Sequence, residues 1–102
     1  MNKEQLLIQQ YHDKGILTGN NEVIIYKKFC FDFIQSCKEL KLRILGIDGY
    51  ILDKNKIKPN LIEVVDFSKK RNTSQDCYIL AASFIKNMLQ NGYSNGYLFT
   101  VD

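Results

Sequence analysis

The stretch that decides the fold is Arg43–Ser68, RILGIDGYILDKNKIKPNLIEVVDFS. It contains two apolar runs, Ile44–Leu52 and Leu61–Phe67, separated by a polar segment with turn-forming residues. β-branched and aromatic side chains favour strands, and a polar break between two such runs is typical of a hairpin. We therefore predict a β-hairpin, with pairing that begins after Pro59 because proline cannot donate a ladder hydrogen bond.

The pattern within the hairpin separates a core side from an open side. Gly46 and Gly49 stand on either side of Asp48, which predicts a β-bulge or a close backbone approach there. Val64 and Val65 make the second strand apolar on both faces, which favours a central place in the sheet. The residues predicted to lie in the core are Leu45, Ile47, Ile51, Val65 and Phe67.

The other long segments have helical periodicity. We predict helices over 2–14 and 22–41 and a third that starts at a Thr73 cap, followed by a strand at Tyr97–Val101. Asn2 is the expected N-cap of the first helix, and Gly15 its C-terminal stop. The predicted fold class is α+β, in the order α-α-β-β-α-β. It is a single domain over residues 1–102, with a three-stranded, mainly antiparallel sheet and the helices packed on one face.

Composition bounds the function classes. Apolar residues make up 45% of the chain and charged residues 25%, and the net charge is +3, which is typical of a globular protein and too low for a dedicated nucleic-acid binder. No apolar run approaches the ~20 residues that cross a bilayer, and Met1–Gln5 does not begin a secretory signal. We expect a cytoplasmic protein whose cysteines, Cys30, Cys37 and Cys77, are buried and reduced.

An enzyme is not expected. His12 is the only histidine, and there is no Gly-rich phosphate loop or H-E-x-x-H motif. Cys30 and Cys37 lie on a core stripe without a histidine nearby, so we expect no metal site and no cofactor. The remaining enzymatic hypothesis is a metal-dependent hydrolase that uses Asp48 and Asp66.

Two binding hypotheses remain. In the first, acidic residues beside tyrosines on an uncovered sheet face imitate a phosphate backbone and offer aromatic anchors to a protein partner. A solvated antiparallel face commonly carries such residues without binding anything, so the sequence leaves open whether this face has a function. The binding-face residues of this hypothesis are Asp48, Tyr50, Glu63, Asp66 and Tyr97. The alternative is a small regulatory or nucleic-acid-binding domain that uses the basic loop residues Lys69, Lys70 and Arg71.

The tract LGIDGYIL…IKPNLIEVVDFS, within Leu45–Ser68, resembles a pattern found in small bacterial immunity proteins. That pattern has a Phe- and Cys-rich helix, a G-[IF]-[DE]-G-[FY] strand, an [ILV]-x-P turn and an [AV]-D-F-S strand end, followed by a helix and a short strand. The similarity extends over Phe29–Val101, and its core lies at Gly46–Tyr50 and Val65–Ser68.

The resemblance implies a non-enzymatic protein of a polymorphic-toxin or contact-dependent growth-inhibition system. Such a protein binds the C-terminal domain of its cognate toxin, frequently a nuclease, in the cytoplasm and neutralises it stoichiometrically. Inhibitors of basic nucleases are usually acidic, whereas this chain carries +3. Either the acidic residues concentrate on one face, or the toxin is not strongly basic, or the binding is mainly apolar.

Overall fold

In the computed structural model, which describes residues 2–54, 56–68 and 74–102, each of the first two helices is followed by two strands and the third by one. The described elements are α1 (Lys3–Tyr11), β1 (Gly15–Leu17), β2 (Val23–Tyr26), α2 (Cys30–Glu39, after a 3-10 turn at Lys27–Phe29), β3 (Ile44–Asp53), β4 (Lys56–Asp66), α3 (Ser74–Asn91) and β5 (Gly96–Val101). The five described strands form one antiparallel sheet in the order β1-β2-β5-β3-β4. With a Cα radius of gyration of 12.7 Å, the protein is a single compact α+β domain.

The sheet has five strands rather than the three predicted. Val23–Tyr26 forms β2, although the sequence pattern places it in the first turn of a helix that would run over 22–41. Its three aliphatic residues are all buried, one of them on the opposite face from the other two, and this suits a strand better than a one-sided helix. Gly15 begins β1, where it pairs with Ile25, instead of ending α1. The position requires a glycine because a Cβ there would collide with the backbone carbonyl of Ile24.

The predicted hairpin is present, but two predictions about its second strand are wrong. Pairing begins at Asp53–Lys56, and Pro59 already lies opposite Tyr50. β4 is an edge strand of the sheet and not a central one, so the missing N–H of Pro59 can be tolerated there. The exposure of Val64 shows that β4 is covered on one face only. The predicted bulge is confirmed, since the β3–β4 register shifts between Asp48 and Gly49.

All three helices pack on the same face of the sheet, around one hydrophobic cluster. Of the hairpin residues predicted to be core, Ile47 and Phe67 are buried in this cluster and Val65 packs against it. Leu45 is only partly buried, because a second register shift between Ile44 and Gly46 places Ile44 in the core instead. Ile51 is also substantially exposed, so these two predictions are wrong.

The local signals at the helices are largely confirmed. Asn2 caps α1 and forms a capping box with Gln5. The predicted third helix is α3, while its proposed Thr73 cap lies outside the described residues. The three cysteines are buried, and none of them is in a disulfide bond. None of the helices in the described residues is long and apolar enough to cross a membrane.

Candidate functional site

The sheet has one face that the helices leave uncovered, which we call the open face. Ile47 and Phe99 pair in register and point into the core, so their neighbours in sequence point the other way. Asp48 pairs with both Leu98 and Val64 on this opposite side. The same alternation places Gly46, Tyr50 and Asp66 on the open face.

Two aspartates mark one end of the open face. Asp48 and Asp66 line a groove of about 330 Å³. Among the described residues, the others that line it are uncharged: Leu45, Gly46, Val64, Val65, Ser68 and Thr100. Partial burial, and secondarily the charge of Asp66, raise the pKa of Asp48. The fold therefore disfavours the charged form of Asp48, and a nearby cation would relieve this cost.

Asp66 has a local role as well. Its Oδ1 accepts hydrogen bonds from the backbone N–H of Ser68 at 2.8 Å and from the Ser68 hydroxyl at 2.6 Å. This turn fixes the carboxylate at the end of β4. The acidic end of the groove is thus held in place, which suits recognition of a partner with a fixed shape.

Tyr50 lies two residues from Asp48 on the open face and adds an aromatic side chain next to it. Burial, together with the negative charges of Asp48 and Glu22, raises the pKa of its hydroxyl. The tyrosine is only partly buried, so its ring is available for contact. The open face therefore combines acidic groups with an aromatic side chain.

An apolar centre adjoins this acidic end. Ile24 is fully buried although it lies on the open face. A Cβ on Gly96 would lie 2.7 Å from Leu52 Cδ1 and 2.8 Å from Ile24 Cγ2, so the two side chains meet above the glycine. Tyr26 and Ile57 are exposed around this centre. The open face therefore has an apolar middle, as the cores of protein interfaces do.

The structure does not place Glu63 and Tyr97 on the open face, unlike the sequence-based hypothesis. Glu63 is 6% exposed and Tyr97 is fully buried. One carboxylate oxygen of Glu63, Oε1, accepts hydrogen bonds from the N–H of Ser94 at 3.0 Å and from the Tyr97 hydroxyl at 3.1 Å, while Oε2 accepts from the N–H of Tyr93 at 2.6 Å. These bonds join β4 to the α3–β5 connection, so both residues have a structural role.

Burial and hydrogen bonding have opposite effects on the pKa of Glu63. Burial raises it, but the hydrogen bonds from Tyr93, Ser94 and Tyr97 outweigh burial and hold the pKa of Glu63 below its ordinary value. Burial and the adjacent Glu63 carboxylate raise the pKa of Tyr97. The pair is therefore a carboxylate that accepts from a neutral phenol.

The other candidate residues of the sequence lie apart from the open face or beyond the described part of the chain. Lys69, Lys70 and Arg71 lie outside the described residues. His12 is exposed, and its Nδ1 lies 2.8 Å from the backbone oxygen of Gln9. Within residues 2–54, 56–68 and 74–102, no three His, Cys, Asp or Glu side chains come together as metal ligands.

Sequence reasoning missed one exposed feature. Leu61 and Ile62 are assigned to an apolar strand by pattern, yet they are among the most exposed large apolar residues that the structure describes, together with Tyr93. The signal that could have found them is Glu63, an acid inside an apolar run. A buried acid needs hydrogen-bond donors, which the interior of the protein can supply. When Glu63 points inward, the residues next to it on the strand point to solvent.

No family model matches the chain, and no curated protein matches it. The resemblance to immunity proteins stays a prediction.

Proposed function

We propose that the protein is a non-enzymatic immunity protein that binds a cognate bacterial toxin domain in the cytoplasm and neutralises it. The toxin domain is proposed to be a nuclease, and inhibition to be stoichiometric occlusion of its active or substrate-binding surface. The observation that carries the proposal is that Asp48 and Asp66 line one groove of the open face, whose other described lining residues are uncharged.

The electrostatics of this pair favour a cationic partner group. Burial and the charge of Asp66 disfavour the ionised form of Asp48, so Asp48 gains when a lysine or arginine approaches and stabilises its carboxylate. A nuclease surface that binds phosphates presents such side chains. An acidic groove can therefore occupy the surface that the nucleic acid would use.

The net charge of +3 does not conflict with this proposal. Charges more than about 8–10 Å apart are largely screened at physiological ionic strength, so a partner responds to the local surface. The two aspartates in the groove and the Glu22 charge near Tyr50 support the first of the three alternatives, in which acidic residues concentrate on one face.

The resemblance supports the same class of function. Its motif core at Gly46–Tyr50 and Val65–Ser68 contains Asp48, Tyr50 and Asp66, which are the candidate residues that the open face brings together. Lys69, Lys70 and Arg71 of the nucleic-acid alternative lie outside the described residues. Among the described residues, Asp48 and Asp66 are joined by no third His, Cys, Asp or Glu that could complete a hydrolase metal site, so the immunity function is the one we propose.

The proposal predicts a toxin gene beside this one, and co-expression with the C-terminal domain of that toxin tests it. We expect growth to be rescued and a 1:1 complex to elute on size exclusion. The double substitution Asp48→Asn and Asp66→Asn should weaken binding at least tenfold and flatten its salt dependence, because asparagine keeps the turn at Ser68 but removes both charges.

The matched control is Glu39→Gln, an exposed acid on α2 in the helical layer, which should leave binding unchanged. Absence of both rescue and a complex with the wild-type chain would refute the immunity function. Binding by the double variant at wild-type strength would instead exclude the groove as the contact site.

A further inference from the structure

The β4 edge contains an insertion that exposes two aliphatic side chains. Asp48 pairs with Val64, but the next residue of β3, Gly49, pairs with Asn60, so the three residues between have no partner in β3. Two of them, Leu61 and Ile62, are 83% and 92% exposed. We call Leu61–Ile62 the β4 protrusion. Tyr93, whose backbone N–H bonds to the adjacent Glu63, is 85% exposed, so a third large side chain is exposed in the same region.

The protrusion is fixed in position from within. The third inserted residue, Glu63, turns inward and accepts three hydrogen bonds, two from the α3–β5 connection and one from Tyr97 in β5. Gly49 and Gly92 leave the space for this, since a Cβ at Gly49 would lie 2.9 Å from the Glu63 carbonyl oxygen and one at Gly92 2.9 Å from Glu63 Oε1. Asn60 adds a bond from Nδ2 to Ser94 Oγ at 3.1 Å. A segment that is held in place before binding loses little conformational entropy when the partner binds.

The surroundings of the protrusion decide what kind of partner fits it. Pro59, Lys56 and Lys58 on β4, and the insertion itself, are devices that prevent an edge strand from pairing with another strand. A partner must therefore contact the side chains, and a convex aliphatic pair fits a concave apolar pocket. Leu61, Ile62 and Tyr93 together expose less than the ~800 Å² that each side of a stable interface buries, so the contact must extend further.

The nearest extension is the acidic groove. Val64 lines the groove and lies two residues from Ile62, a distance of about 7 Å along a strand. A partner that binds the groove therefore reaches the β4 protrusion as well. It contacts carboxylates in the groove and aliphatic side chains at the protrusion.

We propose that the β4 protrusion is the apolar anchor of the toxin contact, and that the toxin surface pairs an apolar pocket for Ile62 with a lysine or arginine for Asp48 and Asp66. This inference rests on the proposed function and adds the chemistry of the partner's surface to it. Central, well-packed apolar anchors carry most of the energy in such interfaces.

Affinity of the toxin domain for the full chain, measured by calorimetry, tests the inference with two matched substitutions. Ile62→Ala should weaken binding by about 30-fold or more, the level of a hot-spot residue. Ile79→Ala, the control, removes the same side chain from an exposed position on α3 and should change affinity less than about threefold, within the scatter of a near-neutral surface substitution. Both variants should melt within about 2 °C of the wild type, because both side chains are largely in solvent.

The outcomes separate the two proposals. If the wild-type chain forms no complex, the proposed function fails and the anchor fails with it. If the wild type binds and Ile62→Ala binds equally well, or both variants weaken binding equally, only the anchor is refuted and the immunity function stands.

Discussion

Replacing Glu63 by glutamine tests the hydrogen-bonded carboxylate that supports the β4 insertion. Glutamine keeps the length and shape of the side chain but exchanges one acceptor oxygen for an NH₂ group. Both oxygens of Glu63 accept bonds, Oε2 from Tyr93 and Oε1 from Ser94 and Tyr97. In either orientation of the amide, at least one backbone N–H therefore faces another donor.

The expected cost follows from these bonds. A hydrogen bond to a charged group contributes about 1.5–3 kcal/mol, and a buried donor left without an acceptor costs about 1–3 kcal/mol. The two effects overlap in one substitution, so we expect Glu63→Gln to lower the free energy of unfolding by about 3 kcal/mol. For a domain of this size that corresponds to a fall in melting temperature of about 12–24 °C.

Urea unfolding followed by circular dichroism at pH 7 measures this cost. Asp53→Asn, an exposed acid on β3, is the control and should change stability by less than about 0.5 kcal/mol. The pH dependence gives a second check. Because the pKa of Glu63 is lowered on folding, its contribution is present above the ordinary value of 4.5 and is lost as the pH falls through the lowered pKa. The gap between wild type and Glu63→Gln should narrow over that range. A variant within about 0.5 kcal/mol of the wild type at pH 7 would refute the structural role of Glu63.

Three further predictions follow from the same region and the core. Asp48→Asn should stabilise the protein at pH 7 by up to about 1 kcal/mol, after allowance for solvent screening. That gain should vanish as the pH falls below the raised pKa of Asp48, where the wild-type carboxyl is protonated too; a loss of stability at pH 7 in urea unfolding would contradict it. Gly49→Ala should cost about 1–3 kcal/mol in the same assay, because its Cβ would clash with Ser94 Oγ and the backbone oxygen of Glu63, and an unchanged midpoint would show that β4 can move away. Burial raises the pKa of Cys30 and of Cys37 to about 12, so neither thiol should react with a disulfide reagent at pH 8 until the chain unfolds; fast labelling of the native protein would show that the core opens.

Much of the fold can be predicted because its signals are local. The Arg43–Ser68 hairpin, the Asn2 cap and the helical stripe of α3 each depend on residues close together in sequence. Val23–Tyr26 does not, since Val23, Tyr26 and Cys30 also fit helical spacing. That segment forms a strand because β1 and β5 offer it partners on both sides, and pairing of this kind depends on contacts distant in sequence.

The candidate site was only partly predictable from the sequence, because even or odd spacing along a strand decides whether two residues share a face. Asp48 and Tyr50 are two residues apart on one strand and so share a face. Glu63 and Asp66 are three apart, and residues at odd spacing on a regular strand point to opposite faces, so both could not belong to one binding surface. Which of the two faces outward depends on the register, and the insertion after Asn60 that shifts this register follows from tertiary contacts of Glu63.

Folding lowers the pKa of Glu63 and raises the pKa of Asp48, and this difference distinguishes a structural acid from a candidate binding residue. The fold stabilises the charge of Glu63 through three hydrogen bonds and disfavours the charge of Asp48 by burial and by Asp66. A residue whose charge costs stability and serves no packing is typical of a binding site, where a partner supplies the missing compensation. Asp48→Asn should therefore gain stability and lose affinity. Glu63→Gln should lose stability, and it should weaken binding only as far as the β4 protrusion moves, because Glu63 itself is covered.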